Sequence, residues 1–194
     1  MIKDYIKENS NLLLILAVVF GIGALSRATD IPNLTAIPAI ALLFGYAKTR
    51  RVVAYSVITV IMLATDLYYG FHYSMIAVYL SYYMIYETGR ISSPEGGSES
   101  TLRAGGKAIG LSVLAAALFF FVTNTAVWME AFIPGNSAAL YSGDLSGLMA
   151  SWTAGLAFAR QFGFPMLTGT LLFTVPGAVV YTLTERKKVA RPTL

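Results

Sequence analysis

Apolar residues along this chain run in long unbroken stretches. They do not alternate as in a strand, nor keep to one face as in a surface helix. Six runs stand out: 12–28, 36–47, 52–70, 75–89, 109–129 and 163–183. Crossing the hydrocarbon core of a bilayer takes roughly 20 helical residues, fewer where neighbours shield the ends. Membrane-barrel strands would instead read as alternating segments. The expected fold class is therefore all-α, an integral membrane protein with six transmembrane helices in one compact domain. The run 36–47 is short for a span, so it is expected to start deep or to be partly re-entrant. The run 12–28 reads as a retained helix, because Arg27-Ala28-Thr29-Asp30 is a poor small-residue cleavage site for a signal peptide. No internal repeat stands out.

The connections differ in kind. Lys48-Thr49-Arg50-Arg51 is a tight basic turn, and 92–100 is a flexible polar linker rich in serine and glycine. The longest connection, 130–162, is only mildly polar, and 145–159 within it reads as an interfacial or half-inserted helix. Orientation follows from the basic residues, which favour the cytoplasmic side. Six spans with a cytoplasmic N-terminus put Lys3, Lys7, Lys48, Arg50, Arg51, Arg90, Arg103, Lys107, Arg186, Lys187, Lys188 and Arg191 inside. Of the 14 basic residues, only Arg27 and Arg160 are left outside. A seventh span at 145–159 would export the basic C-terminal segment. Both termini are thus expected in the cytoplasm of a multi-pass protein of the cell membrane.

Composition agrees with this. The chain is 56% hydrophobic and 12% charged, with a mean hydropathy of +0.65, whereas an ordinary soluble domain carries about 25% charged residues. The net charge of +4 is explained by topology and does not call for nucleic acid. There is no cysteine, which excludes disulfides, thiolate metal sites and cysteine nucleophiles.

With that topology, the outer side collects Arg27, Asp30, Asn33, His72, Glu130, Asn136, Asp144 and Arg160. Asp66 and Asn124 lie just below, in the third and fifth helices. Ionisable groups at membrane depth generally face a cavity or the bundle interior, so an outward-facing pocket under a long loop is expected. Asp66 and His72, the only histidine, sit at its centre in Asp66-Leu67-Tyr68-Tyr69-Gly70-Phe71-His72. Asp66, Tyr69 and Tyr73 share a face if the third helix persists that far. The substrate-binding candidates are Arg27, Asn33, Asp66, Tyr69, His72, Asn124 and Glu130.

Each has a structural alternative. Asp66 could pair with Arg27 or Arg160 and fix packing, and Glu130 with Trp128 could be an interfacial anchor. Tyr79, Tyr82, Tyr83 and Tyr86 could be core or interface belt. In the first helix, Ala17 and Gly21 form a small-xxx-small pattern that lets another helix approach closely, either within the bundle or as a docking face. No enzyme is expected, and no cofactor. The chain has no phosphate-binding glycine loop, no serine–glycine elbow beside its one histidine and no convincing metal cluster.

Several stretches resemble a family of small bacterial and archaeal membrane proteins described only as candidate transport proteins. They are Pro32-Asn33-Leu34-Thr35-Ala36-Ile37-Pro38 with Ala41-Leu42-Leu43-Phe44, then 66–72, Thr123-Asn124-Thr125-Ala126-Val127-Trp128, and Gly169-Thr170-Leu171-Leu172-Phe173-Thr174. That family is similar to the S components of energy-coupling factor (ECF) transporters. The resemblance implies a six-helix subunit that captures a vitamin or metal from outside. Such a subunit docks, through small residues of its first helix, onto a shared transmembrane subunit with paired ATPases. It would give the outer cluster a ligand and Ala17 to Gly21 a partner. A related branch binds cobalamin and can ligate cobalt through a cysteine, which this chain lacks.

The function expected is a substrate-binding membrane subunit for uptake of a small micronutrient, such as a vitamin or cobalamin-like compound. A stand-alone secondary transporter with Asp66 and His72 as a proton relay is the alternative, although no inverted repeat supports it. A non-catalytic structural subunit of a larger membrane complex is the third reading.

Overall fold

A computed structural model describes residues 10–28, 31–70, 72–94 and 99–189, and of these all side chains except those of 10–17, 69 and 187–189. Seven α-helices and one short 3-10 helix are present, with no strand among the described residues. They are α1 (Ser10–Arg27), α2 (Ile37–Tyr46), α3 (Arg51–Tyr69), α4 (Met75–Ile91) and α5 (Thr101–Met129), the 3-10 turn Glu130–Phe132, then α6 (Leu145–Gln161) and α7 (Pro165–Val189).

The centre is the shortest helix. Of the ten residues of α2, eight are buried, as expected of a helix that is apolar all round. Pro38 in its first turn removes no intrahelical bond. Against it lies α4, at a separation no side chain would permit. A Cβ on Gly45 would come within 2.0 Å of the Tyr86 carbonyl oxygen, and one on Gly89 within 2.3 Å of the Leu42 carbonyl oxygen. Two glycines on facing helices thus let the backbones touch. Ile58, Ile61 and Met62 of α3, Tyr82, Ile85 and Tyr86 of α4, and Ala115 and Phe119 of α5 complete the core around α2.

Among the described residues, three helices are long and apolar enough to cross a membrane: Arg51–Tyr68, Thr101–Phe132 and Pro165–Arg186. Two shorter apolar helices accompany them, Val18–Arg27 and Ile37–Tyr46. The helix expected over 109–129 begins eight residues earlier, because the Ser100 side chain caps it by accepting from the Arg103 N–H at 3.2 Å. Its 29 residues reach about 43 Å, well beyond a hydrocarbon core of about 30 Å. The segment 145–159 is a full helix, α6, laid along the last turns of α5. There Ser151 Oγ donates to the Asn124 carbonyl at 2.8 Å and Trp152 Nε1 to Thr125 Oγ1 at 3.1 Å.

Charges separate to the two ends. At one end, Arg51 makes a two-pronged pair with Glu87 at 2.6 and 2.9 Å. Nearby, the buried Glu99 accepts from Tyr46 and lies 3.7 Å from Lys107, and Arg186 donates to its carbonyl at 3.1 Å. The opposite end holds Arg27, Asp66 and His72.

Candidate functional site

The site is built where α1 and α3 finish and α2, α4 and α7 begin. Ser26 of α1 ties the first two together: its Oγ accepts from the Ala36 N–H at 2.9 Å and lies 3.1 Å from Thr35 Oγ1. An orphan amide at the start of α2 is thereby satisfied from the neighbouring helix. Asn33, in the intervening turn, adopts φ +62, a left-handed conformation that asparagine tolerates better than most residues. On the far side, α7 comes so close that a Cβ on Gly169 would lie 2.7 Å from the Thr35 carbonyl oxygen.

A buried charge pair anchors this end. Arg27 Nη2 donates to Asp66 Oδ1 at 2.7 Å, and the Tyr79 hydroxyl donates to Oδ2 at 2.7 Å. The Asp66 side chain is 4% exposed and that of Arg27 is 20%. Arg27 also reaches the Met62 sulfur. Both carboxylate oxygens of Asp66 are therefore engaged, as burial of an anion demands. The pairing considered for Asp66 is realised with Arg27, whereas Arg160 is exposed on α6.

The pair lines a chamber of about 390 Å³, together with Asn33, His72, Met62, Tyr82 and Phe119. A second chamber of about 540 Å³ adjoins it across Asn33, Val78 and Phe119. It lies between α5, α6 and the start of α7, and its walls are largely aromatic and aliphatic, with Phe120, Phe158, Tyr141 and Asn124 among them. Asn124 donates from Nδ2 to the Phe120 carbonyl at 2.8 Å. Its amide stands against Gly155, where a Cβ would lie 2.2 Å from Oδ1. The loop 133–144 is fastened beside this chamber by Trp128, whose Nε1 donates to the carbonyls of Ser142 and Asp144, each at 3.0 Å. Asp144 then caps α6: its Oδ1 accepts from the Gly147 N–H and from the Ser142 and Ser146 hydroxyls at 2.7–2.8 Å. The Gly147 amide, followed by these hydroxyls, holds the Asp144 carboxyl down at about 2.

Of the predicted site residues, the structure brings Arg27, Asn33, Asp66 and His72 together in the first chamber and Asn124 into the second. His72 is exposed at the rim, with Nδ1 2.9 Å from Ser74 Oγ. Glu130 lines neither chamber. It opens the 3-10 turn, and its carbonyl accepts from Ile133 and Asn136. The expected face of Asp66, Tyr69 and Tyr73 does not form, because α3 stops at Tyr69 and Gly70 turns the chain away at φ +88. The Tyr69 side chain lies outside the described residues, as do Asp30 and the side chain of Ala17. At Gly21 a Cβ would meet nothing within 4 Å, so that position faces outward from the described bundle, whereas Gly23 packs on Ile61.

Sequence reasoning missed Tyr79 as the second ligand of Asp66. Its signal was present in the tyrosine stripe of α4, which divides in the structure. Tyr82 and Tyr86 are core, Tyr83 meets the Thr59 hydroxyl at 2.5 Å, and Tyr79 turns to the carboxylate. Three or more His, Cys, Asp or Glu side chains do not gather into a metal site among the described residues. No curated protein and no solved structure matches the chain. A family model does, over residues 6–192, and the chain belongs to the Family of unknown function (DUF6580).

Proposed function

We propose that this chain is a multi-pass protein of the cell membrane that binds a small solute from outside, as a substrate-binding subunit similar to an ECF S component. The observation that carries this reading is the first chamber. A buried, fully paired charge opens onto about 390 Å³ of space beside Asn33 and His72. Intramembrane charges that only hold a fold have no need of a cavity, whereas a binding site needs one. In this reading α1 to α5 and α7 are the six spans, with both termini in the cytoplasm. The ten-residue α2 is shielded from lipid by its neighbours. The adjoining aromatic chamber takes the apolar part of the solute and the loop beside it retards escape. Gly21 belongs to the face that docks on a transmembrane partner with its ATPases.

Uptake measurements test this. Native mass spectrometry of the purified protein should find a copurifying small molecule. Cells expressing the chain should accumulate that molecule only when ECF partner subunits and ATP are supplied. Accumulation driven by a proton gradient alone would establish the secondary transporter. A protein that carries no small molecule yet copurifies with other membrane subunits would be structural.

A further inference from the structure

Charge and aromatic surface are divided unequally between the two chambers. Of the 15 residues that line the second chamber, four are aromatic, Phe119, Phe120, Tyr141 and Phe158, and none is charged. Charged side chains line the first chamber instead, and there they answer one another. Asp66 accepts from Arg27 on one oxygen and from Tyr79 on the other. His72 lines only the first chamber, from an exposed position. A carboxylate or ammonium brought into the second chamber would lose its water and meet no counter-charge in the wall. A neutral ligand avoids that cost.

The polar groups in that wall are held in place yet short of partners. Asn124 gives an amide hydrogen to the Phe120 carbonyl at 2.8 Å. The same amide is wedged where only a glycine leaves room, since a Cβ on Gly155 would lie 2.2 Å from Oδ1. Its orientation is thereby fixed, while Oδ1 accepts from no group among the described residues. The Asn33 amide and the Tyr141 hydroxyl also line the chamber and have no hydrogen-bond partner among the described residues. An amide offers a donor and an acceptor side by side, so a pair of them suits a ligand edge that carries both. Aromatic walls suit a flat ring, and about 540 Å³ is within the usual range of small-molecule sites.

We propose that the second chamber binds an uncharged, flat aromatic ring with an amide or lactam edge. The ring lies among Phe119, Phe120, Tyr141 and Phe158, and its edge pairs with Asn33 and Asn124. The inference rests on the reading of the chain as a solute-binding subunit. It adds the chemical class of the solute and the chamber that selects it.

The test uses the full chain in phosphatidylcholine nanodiscs and tritiated 2-naphthamide, with empty nanodiscs subtracted. Unlabelled 2-naphthamide should displace the label at least about 100-fold better than 2-naphthoate, which has the ring but carries a charge. The saturated decalin-2-carboxamide, more apolar but not flat, should be about three- to tenfold weaker. The methyl ketone 2-acetylnaphthalene, which lacks the N–H, should be about fivefold weaker or more. Ala154→Phe fills the chamber from an exposed position and should weaken binding about tenfold or more at unchanged thermal stability. Asn124→Ala, and Asn33→Gly, which keeps the left-handed turn, should each narrow the lead of the amide over the ketone. No binding above empty nanodiscs, naphthoate or the decalin amide binding as well as naphthamide, wild-type affinity in Ala154→Phe, or an unchanged lead in both asparagine variants would overturn the proposal. A copurifying charged solute that naphthamide fails to displace would overturn it too, and would leave the solute-binding reading standing. The expected naphthamide selectivity in a chain that supports no uptake would do the reverse.

Discussion

Replacing Asp66 with asparagine isolates the charge pair at the heart of the site. The substitution keeps the shape and an oxygen for the Tyr79 hydroxyl, but turns the 2.7 Å contact with Arg27 Nη2 into one between two donors. Removing one partner of a buried pair costs about 3–5 kcal/mol, because the remaining charge stays desolvated. Here Asp66 is 4% exposed but Arg27 is 20% exposed at the edge of a chamber. Water can reach the guanidinium, so the loss should fall at the lower end, about 3 kcal/mol. Thermal denaturation of wild type, Asp66→Asn, Arg27→Gln and the double variant in one lipid system gives a double-mutant cycle. The double variant should be more stable than the sum of the single losses predicts, with a coupling of about 1–3 kcal/mol. Additive losses would refute the argument, because they would mean that neither residue depends on the other's charge.

Tyr79→Phe removes one hydrogen bond to a buried carboxylate and should cost about 1.5–3 kcal/mol in the same denaturation assay, with the Arg27 contact intact. Gly45→Ala or Gly89→Ala drives a methyl into backbone oxygens of the facing helix. Either should cost about 3 kcal/mol or more and lower the yield of folded protein. Gly21→Leu is the matched control. With nothing described within 4 Å of a Cβ there, stability should change by no more than about 0.5 kcal/mol, while any ATPase-dependent uptake is lost. Asp144 supplies a pH dependence. A carboxyl lowered in the folded state adds stability that is complete above its ordinary range and lost as pH falls through the folded value. Hydrogen exchange in the first turn of α6 should therefore accelerate between about pH 4 and about 2, and Asp144→Asn, which still caps but cannot titrate, should abolish that response.

The helices were legible because apolar runs are the signal a buried helix cannot avoid. Residues 52–70 and 163–183 map onto α3 and α7 with ends shifted by a few residues. The fifth helix was undercounted because Thr101 to Ala108 carries Arg103, Gly105, Gly106 and Lys107, which break an apolar run without breaking a helix. Hydropathy cannot see the Ser100 cap that starts it. The placement of α2 at the centre was not legible either. Its shortness suggested a deep or re-entrant segment, but burial on every side depends on Gly45 and Gly89 facing each other across 44 residues of sequence. Glycine spacing alone does not reveal such a crossing.

At the candidate site, sequence grouped four residues that line one chamber and missed Tyr79. Arg27, Asn33, Asp66 and His72 converge because they sit at helix ends, and alternating helix direction brings those ends together. Glu130 failed the same logic: the second chamber follows α5 as far as Val127, but α5 ends at Met129 and Glu130 opens the 3-10 turn beyond it, lining neither chamber. What no end-counting supplies is the partner that arrives mid-helix. Tyr79 lies one turn into α4, on a stripe that also holds the core residues Tyr82 and Tyr86 and the half-buried Tyr83, and only the direction of its hydroxyl marks it out. That hydroxyl matters physically because a guanidinium satisfies one oxygen of the Asp66 carboxylate and leaves the second exposed to a low-dielectric wall. Tyr79 closes that side without adding charge. Both oxygens of the buried Asp66 are then satisfied at the edge of the chamber.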